Sequence, residues 1–444
     1  MSRLSICLKR IIKMKFIKSK SWLALSLLSL AGTASAAETA VPEISVLLNT
    51  FFFLFCGVLV MFMAAGFTML EAGMVRSKSV AIILTKNISL YSVAGIMFYL
   101  VGYELMYGDV VSGFIGNFSI WSADDTGLLA KTSSDAYAAS SDWFFQMVFV
   151  ATAASVVSGA LAERSRFWPF LIFTVVLTGV MYPIVGHWTW GGGWLTQLGF
   201  SDFAGSTIVH SVGGWAALVG IVLLGARKGR FDENGNAITI PPSSLPHVTL
   251  GTFVLWMGWC GFNGGSQLAF SSLNDAVSVS NIFVNTNAAA AGGVVATLFA
   301  SQLLYGRLDL PLVLNGALAG LVSITAEPSI PSVGMAMVIG GVGGLIMMTA
   351  TSLLERLRLD DVVGAVPVHL AAGIWGTLAV ALVNPEVTFV AQLTGVVAVG
   401  IFTCTFSAIV WYLLKVLRGI RLHQDHEELG ADLSEVGLRA YNID

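Results

Sequence analysis

Charged residues are scarce in this sequence: Asp, Glu, Lys and Arg make up only 11% of its 444 residues, whereas 56% are hydrophobic. Soluble domains carry about 25% charged residues, so the composition excludes an ordinary soluble domain. The net charge of −3 leaves no basic surplus that could bind nucleic acid. We therefore predict an integral membrane protein that is surrounded by lipid and has no nucleic-acid partner.

Cysteines at the spacing of a metal site or a disulfide framework are also missing. The four cysteines stand far apart in the chain: Cys7, Cys56, Cys260 and Cys404. Such isolated cysteines predict neither a Cys-based metal site nor a disulfide scaffold. No glycine cluster is followed by G-K-[ST], which excludes a phosphate-binding P-loop. We expect no metal and no other cofactor, and we expect that the protein is not an enzyme.

Long apolar runs are what the sequence does contain. A helix needs about 20 apolar residues to cross the hydrocarbon of a bilayer, and runs of roughly that length recur along the chain. They are 46–70, 80–102, 143–162, 167–190, 205–226, 245–265, 280–303, 311–326, 332–354, 362–383 and 389–416. The pattern predicts an all-α integral membrane protein with about eleven transmembrane helices, in a membrane domain at 37–418.

The first 36 residues are typical of a cleaved secretory signal peptide. Seven Lys and Arg residues precede a short apolar core at 22–31, and the small residues Ala34 and Ala36 stand just before the expected cut. A second basic stretch begins at Met14, which is an alternative start of translation. An uncleaved twelfth span is the other interpretation, which the shortness of the apolar core disfavours.

Basic residues in the loops predict the orientation of the chain. If the mature N-terminus lies outside, the outward loops carry only Lys131, and nearly all other basic residues face inward. The inward residues are Arg76, Lys78, Arg164, Arg166, Arg227, Lys228, Arg230, Arg307, Arg356, Arg358, Lys415, Arg418 and Arg421. Cytoplasmic loops carry the excess of Lys and Arg. We therefore predict an N-out, C-in protein with a cytoplasmic tail at 419–444.

Two segments of the chain repeat one pattern. Residues 202–214 read DFAGSTIVHSVGG and residues 361–373 read DVVGAVPVHLAAG, with five identical residues at a constant offset of 159. The histidines of the two segments, His210 and His369, fall in about the fifth and the tenth predicted span. Five spans reverse the direction across the bilayer, which predicts a 5+5 inverted-topology repeat about a pseudo-two-fold axis in the membrane plane.

The repeat also predicts the depth of the two histidines. Each follows an aspartate by eight residues, and eight residues of helix rise about 12 Å. In a hydrocarbon core about 30 Å thick, the two rings then lie within roughly 6 Å of each other in depth. Ionisable residues inside membranes are costly and mostly functional, although two unrelated histidines, each satisfied by its neighbours, are the alternative. The aspartates stand at N-cap positions, where we expect a mainly structural role.

Several motifs resemble one known family. They are DFAGSTIVH (202–210), EAGMVRSK (71–78), GALAER (159–164), WTWGGGWL (188–195), GWCGFNGGS (258–266) and VPVHLAAGIWG (366–376). In this order, over nearly the whole mature chain, they resemble the ammonium transporter family (Amt/Mep/Rh). The resemblance implies a homotrimer of eleven-helix subunits, each with its own pore for ammonium or its neutral form.

The resemblance implies an outer site and a gate. Trp190 and Phe149 would border a recruitment site for ammonium, to which Ser266 adds an oxygen, and Phe149 would stack on Phe262 as a gate beneath it. These residue types suit the ion, because aromatic faces attract cations by roughly 0.5–2 kcal/mol and a hydroxyl accepts an N–H. Ordinary packing is the alternative interpretation of each aromatic residue taken alone.

The resemblance also assigns the repeated residues. His210 and His369 would line the pore, where neutral imidazoles can bond ammonia or relay the proton that ammonium sheds, and Asp202 would hold the outer vestibule together. Some positions depart from the commoner family residues: Leu370, Gly364, Ser206 and Gly264. The tail sequence EELGADLSEVGLRAYN is similar to the segment through which a PII signal protein closes bacterial members.

Two other functions compete with transport. One is a membrane enzyme that holds a metal or haem between His210 and His369, but metal sites recruit more ligands, and only His187 is available as a third histidine in the spans. The other is a membrane sensor that binds ammonium without conducting it. The 26-residue tail holds no signalling domain, which disfavours a sensor, and flux in vesicles separates the two functions.

Overall fold

The structure is a computed structural model that describes residues 43–109, 113–130, 136–330 and 332–441. Within these ranges the chain is helical and forms no β-strand beyond isolated bridges. The predicted signal peptide at 1–36 and Lys131 lie outside the described residues.

Helices occupy all of the predicted spans. In chain order they are α1 Glu43–Met74, α2 Ser77–Tyr107, α3 Ala139–Ala160, α4 Phe167–Gln197, α5 Ser206–Leu224, α6 Leu245–Gly265, α7 Leu273–Tyr305, α8 Leu310–Ile324, α9 Val333–Arg356, α10 Val366–Val383 and α11 Phe389–Arg418. Among the described residues, nine of these helices are long and apolar enough to cross a membrane by themselves, all except α6 and α8. Helix α8 has only 15 residues, and α6 carries glycine and polar residues along its length. The predicted all-α membrane architecture is confirmed.

Polar residues before the apolar runs decide where several helices begin. A side chain accepts a hydrogen bond from a backbone N–H of the first turn at Ser244, Asp309, Ser332 and Thr388. A capping box of Ser272 and Asp275 starts α7 at Leu273, earlier than the apolar run predicted at 280–303. The capped first turn is polar, so hydropathy alone did not include it.

Helix α3 lies at the centre of the bundle. In its most apolar stretch 89% of the residues are buried, against 33% for α11 and 39% for α1. The outer helices therefore keep an apolar face free for lipid or for another subunit, whereas α3 packs on all sides. A residue of α3 such as Phe149 consequently faces the interior of the protein.

The two helices that carry the repeated pattern begin in the same way. Gly205 and Gly364 each have a positive φ, 110° and 78°, a conformation that favours glycine. Each glycine comes just before a π-helical turn that contains the histidine, Ser206–Ser211 in α5 and Val366–Ala371 in α10. The matched glycines of the sequence pattern therefore mark the same backbone bend in both helices.

Helices α5 and α10 also contact each other reciprocally. A Cβ on Gly214 would lie 2.7 Å from the Cβ of Leu370, and a Cβ on Gly373 would lie 2.6 Å from the Oγ of Ser211. Residues 211 and 370 occupy matched positions of the repeat, as do the two glycines. A pseudo-two-fold axis requires such exchanged contacts, and the absence of a Cβ at both glycines lets the helices approach.

The loops that follow α3, α5 and α9 are joined by a buried ionic network. Arg227 bonds Glu163 through Nη1 at 2.6 Å and Asp360 through Nε at 2.8 Å. Burial alone would raise the pKa of the Asp360 carboxyl, but the positive charges of Arg164 and Arg227 hold that pKa well below its usual range. The motif GALAER thus supplies structural residues at one end of the bundle.

The tail is docked against this same end. The Asp432 carboxylate accepts hydrogen bonds from Val80 N at 3.1 Å and Ile82 N at 2.8 Å, in the first turns of α2. Glu435 accepts one from Phe167 N at 3.0 Å, at the start of α4. Carboxylates at helix N-termini satisfy free N–H groups and complement the helix dipole, so the tail completes two helices of the membrane domain.

Candidate functional site

The aromatic residues singled out from the sequence lie side by side. The Phe149 ring of α3 stacks on the Phe262 ring of α6, with centroids 3.9 Å apart and planes at 20°. The Trp190 ring stands edge-on to Phe149 at 6.2 Å and 84°. Both phenylalanines are fully buried, whereas Trp190 is half-buried. The stacked pair therefore closes the bottom of a space that Trp190 borders.

That space is a cavity of about 360 Å³, the outer cavity, which opens above the stacked phenylalanines. Trp190, Phe149 and Ser266 all line it. The Ser266 hydroxyl donates to the Phe262 carbonyl at 2.9 Å, so the lone pairs of its oxygen remain available to a donor in the cavity. The structure thus brings together the three residues assigned to the recruitment site.

The outer cavity also contains a carboxylate that the sequence analysis did not predict as a site residue. Asp142, in the first turn of α3, lines the cavity and accepts a hydrogen bond from the Tyr103 hydroxyl at 2.6 Å. It stands next to the aromatic run WFF in the sequence, and an acidic residue beside an aromatic run was the available signal. It places an acidic group and a phenol within reach of a cation.

The two histidines of the repeat lie directly below the stacked phenylalanines. The Nδ1 atoms of His210 and His369 are 3.2 Å apart, and both side chains are buried. The His210 ring packs on Phe262 at 5.3 Å and on Trp259 at 4.9 Å, and the His369 ring lies 5.9 Å from Phe67. The lateral contact of the two rings, which sequence spacing did not determine, is present.

The contact fixes the relative tautomers of the pair. A hydrogen bond between two Nδ1 atoms needs one ring that donates and one that accepts. When both rings are neutral, one therefore carries its proton on Nδ1 and the other on Nε2. The Nε2 of His210 is buried and has no hydrogen-bond partner within the described part of the chain, so this nitrogen is free to bond a small molecule.

Asp202 holds two parts of the site at once. Its carboxylate accepts from the backbone N–H groups of residues 205–208 at 2.8 to 3.1 Å, which caps α5. Its carbonyl oxygen accepts from the Trp190 indole Nε1 at 2.9 Å. Burial raises the pKa of the Asp202 carboxyl, and the four N–H donors oppose this rise. The residue that orients α5 and His210 thus also orients Trp190.

Asp361 has the matching place at the start of α10. Its carboxylate accepts from Gly364 N at 3.0 Å and from Val366 N at 2.7 Å. The cavity that follows His369, the inner cavity, has a volume of only about 10 Å³. From the outer to the inner side, the features therefore follow one another in space as outer cavity, stacked phenylalanines, histidine pair and inner cavity.

The positions that depart from the commoner family residues are explained by local contacts. At Gly364 a Cβ would lie 2.6 Å from the Asn315 side chain, and at Gly264 it would lie 2.4 Å from the Phe283 ring. The Ser206 hydroxyl donates to the Val322 carbonyl at 2.7 Å. These residues shape the packing around the stacked phenylalanines and the histidine pair, and they leave the two histidines in contact.

No group of three or more His, Cys, Asp or Glu residues within the described ranges is placed to hold a metal ion. His187, considered as a third ligand, lies apart from the pair, with its Nδ1 2.8 Å from the Met106 carbonyl oxygen. Its hydrogen bond to the backbone gives it a structural partner in α2.

Comparison with known proteins identifies relatives over nearly the whole chain. The model of the Ammonium Transporter Family matches residues 51–441. A putative ammonium transporter of Synechocystis is 41% identical over 91% of this chain and 91% of its own length. The ammonium transporter Amt2 of Archaeoglobus fulgidus is 40% identical over 94% of both chains.

Solved structures share the fold as well. A protein described as a sensor Amt protein superposes with a TM-score of 0.82 at 32% identity, covering 89% of this chain and 99% of its own. Mep2 of Candida albicans superposes with a TM-score of 0.77 at 29% identity, covering 89% of this chain and 90% of its own.

We predict that Asp202→Asn strongly destabilises the protein. An asparagine amide replaces one acceptor oxygen by a donor, so two of the four capped N–H groups lose their partner inside the protein. Each buried unsatisfied group costs about 1–3 kcal/mol. The melting temperature in detergent measures the loss. Asp275→Asn, at the exposed start of α7, is the matched control and should change the melting temperature little. Equal melting temperatures would contradict the prediction.

Proposed function

We propose that this chain, which belongs to the ammonium transporter family, recruits NH4⁺ in its outer cavity, deprotonates it, and passes ammonia through a pore lined by its two histidines. The observation that supports this most directly is the buried contact of His210 and His369, 3.2 Å between Nδ1 atoms, beneath stacked phenylalanines. We further propose a homotrimer in the bacterial inner membrane, with N-out, C-in orientation.

Recruitment follows from the groups in the outer cavity. The indole N–H of Trp190 donates to the Asp202 carbonyl, and this bond fixes the orientation of the Trp190 ring. A cation over the face of an indole is stabilised by roughly 0.5–2 kcal/mol, depending on desolvation. Ser266 offers an acceptor oxygen to an N–H of the ion. The Asp142 carboxyl adds an acidic group, which in its ionised form raises the local concentration of cations.

Deprotonation follows from the environment below this cavity. The rings of Phe149 and Phe262 touch at 3.9 Å, so a permeating molecule must displace at least one ring. An unpaired cation in apolar surroundings is costly, and an ionisable group there loses its charge instead. The species that passes the rings is then ammonia, which leaves one proton behind.

The histidine pair can carry that proton. A proton that arrives at Nε2 of His210 allows the Nδ1 proton of His210 to cross to Nδ1 of His369, and His369 then releases its Nε2 proton into the inner cavity. Each nitrogen gains or loses one proton, so the charge of the pair is unchanged after the transfer. Return of both rings to their first tautomers completes the cycle.

Flux into proteoliposomes tests the proposed function. Ammonium added outside should produce a current and an internal pH change that empty liposomes lack. A sensor that binds ammonium without conducting it would show saturable binding and no flux. Absence of flux with demonstrable binding would overturn the transport proposal in favour of the sensor.

We predict that Trp190→Leu weakens discrimination between ammonium and potassium. Loss of a cation–π contact of about 1 kcal/mol corresponds to about a fivefold change in competition. The measurement is inhibition of ammonium current by potassium. Trp188→Leu is the control, because Trp188 is buried against Trp194 and Phe402. Unchanged competition in Trp190→Leu would reject its role in recruitment.

We predict that replacing both histidines by leucine abolishes proton-coupled current while the protein still folds. Two apolar side chains remove every nitrogen of the relay and leave the surrounding helices in place. Replacing one histidine by glutamate should keep an ionisable relay and change which species passes. Current and size-exclusion profile are measured together, with His187→Gln as a control, because His187 lies apart from the histidine pair. Unaltered current and selectivity in the double variant would show that the histidines only fill the pore.

We also propose that the tail at 419–444 regulates conduction by binding a PII signal protein. The support is its position: Glu427 accepts from Lys228 N at 2.7 Å, and Arg421 donates to the Leu224 carbonyl at 2.9 Å, so the tail is joined to the end of α5 and to the loop that follows it. A partner that displaces it would uncap α2 and α4.

Deletion of residues 425–444 tests the regulatory tail. We expect flux of the truncated protein to be insensitive to an added PII homologue, whereas flux of the full chain decreases. The full chain in the presence of an unrelated soluble protein is the control. Equal flux of the full chain with and without the PII homologue would remove the hypothesis.

A further inference from the structure

A buried carboxylate lies at the far side of the histidine pair. Glu71, near the end of α1, lines the same inner cavity as His369 and Phe67, and only 1% of its surface is exposed. The cavity volume of about 10 Å³ is close to that of one water-sized site. A molecule of ammonia or one water therefore fits between the histidine and this carboxylate.

The hydrogen bonds of Glu71 leave one oxygen free. Oε2 accepts from the Ser158 hydroxyl at 2.8 Å and from the Asn87 amide at 3.1 Å. Oε1 is buried and has no hydrogen-bond partner in the described residues. A buried acceptor without a partner costs about 1–3 kcal/mol. Such an unpaired oxygen calls for an explanation, and a ligand that donates a hydrogen bond to it would provide one.

A buried lysine balances this carboxylate. Lys86 of α2 is 2% exposed, and its Nζ donates to the Ser158 carbonyl at 2.9 Å and stands 4.6 Å from the Phe170 ring centroid. Ser158 thus connects the two residues, since its hydroxyl bonds Glu71 and its carbonyl bonds Lys86. A neighbouring positive charge favours the ionised carboxylate, which is the form that accepts a proton.

We propose that Glu71 is the inner proton station of the pore, which takes the proton released by the histidine pair and returns it to ammonia at the exit. This inference rests on the proposed function. The proton from His369 Nε2 binds the free Oε1, directly or through one water, and gives a neutral carboxylic acid. Ammonia in the inner cavity then takes this proton, so NH4⁺ leaves and the carboxylate is restored. Ser158 and Asn87, which donate to Oε2, are positioning residues that leave Oε1 free, and Lys86 holds Ser158 through its carbonyl.

A purely structural ion pair is the competing explanation. In that case Glu71 and Lys86 only neutralise each other, and removing both charges together leaves conduction intact. A single substitution does not separate the two explanations, because it leaves one buried charge uncompensated and destabilises the protein. The decisive variant is therefore the double substitution Glu71→Gln with Lys86→Gln.

Ammonium current in proteoliposomes is the first readout. We expect the double variant to keep the size-exclusion profile and melting temperature of the parent while its current falls by about tenfold or more, because a general acid–base group is missing. Glu71→Asp, which keeps a carboxyl beside Lys86, should retain more current than the double variant. A folded double variant with the current of the parent overturns the inference. A parent that conducts nothing instead overturns the proposed function.

Infrared difference spectra of the intact parent protein give a second readout that needs neither conduction nor the double variant. Exchange of sodium for ammonium should change the protonation of a carboxyl group and produce a band in the carboxylic acid region. Glu71→Asp keeps a carboxyl and should shift that band. A parent spectrum without a carboxyl change, or a band that does not move in Glu71→Asp, overturns the inference.

Discussion

The capping of α5 by a single carboxylate is the interaction on which the rest of the site depends. Four backbone N–H groups converge on Asp202, and its carbonyl oxygen holds the Trp190 indole. No water is available in a hydrocarbon core to satisfy such groups, so the helix start requires an internal acceptor. Because the same residue positions Trp190 and the helix of His210, the outer cavity and the histidine pair have a fixed relation to each other.

The inverted repeat gives the two sides of the histidine pair similar backbones and different chemistry. Gly205 and Gly364 make the same bend, and a carboxylate caps each helix start. The outer side opens into a cavity of about 360 Å³ with aromatic rings, whereas the inner cavity measures about 10 Å³ and faces Glu71. In the proposed function, the wide aromatic cavity suits the capture of a cation, and the small inner cavity with its carboxylate suits the return of a proton to a neutral molecule.

At the end of the bundle that carries the tail, the charged residues are buried and paired, so that substitution of one of them leaves another without its partner. Arg227 connects Glu163 with Asp360, while Asp432 of the tail caps α2. The Arg227 bonds join the loops after α3, α5 and α9 to one another, and Lys228 N in the loop after α5 donates to Glu427 of the tail. A buried charge that loses its partner is strongly destabilising. The tail is thus coupled to α2, which it caps and which carries Lys86.

The helices, the inverted repeat and the two matched histidines could be predicted from the sequence alone. Hydropathy is a local property that needs no knowledge of neighbours, so each predicted apolar run is a helix. Only the tertiary structure shows which side chains are in contact. These contacts are the hydrogen bond between His210 and His369, the position of Asp142 in the outer cavity, and the hydrogen bonds through which Ser158 connects Glu71 with Lys86. Ser158 lies 87 residues from Glu71, and only the packing of α1, α2 and α3 brings these side chains together. Which faces of the helices pack depends on the shapes of all neighbours at once, and a linear pattern of hydropathy does not contain that information.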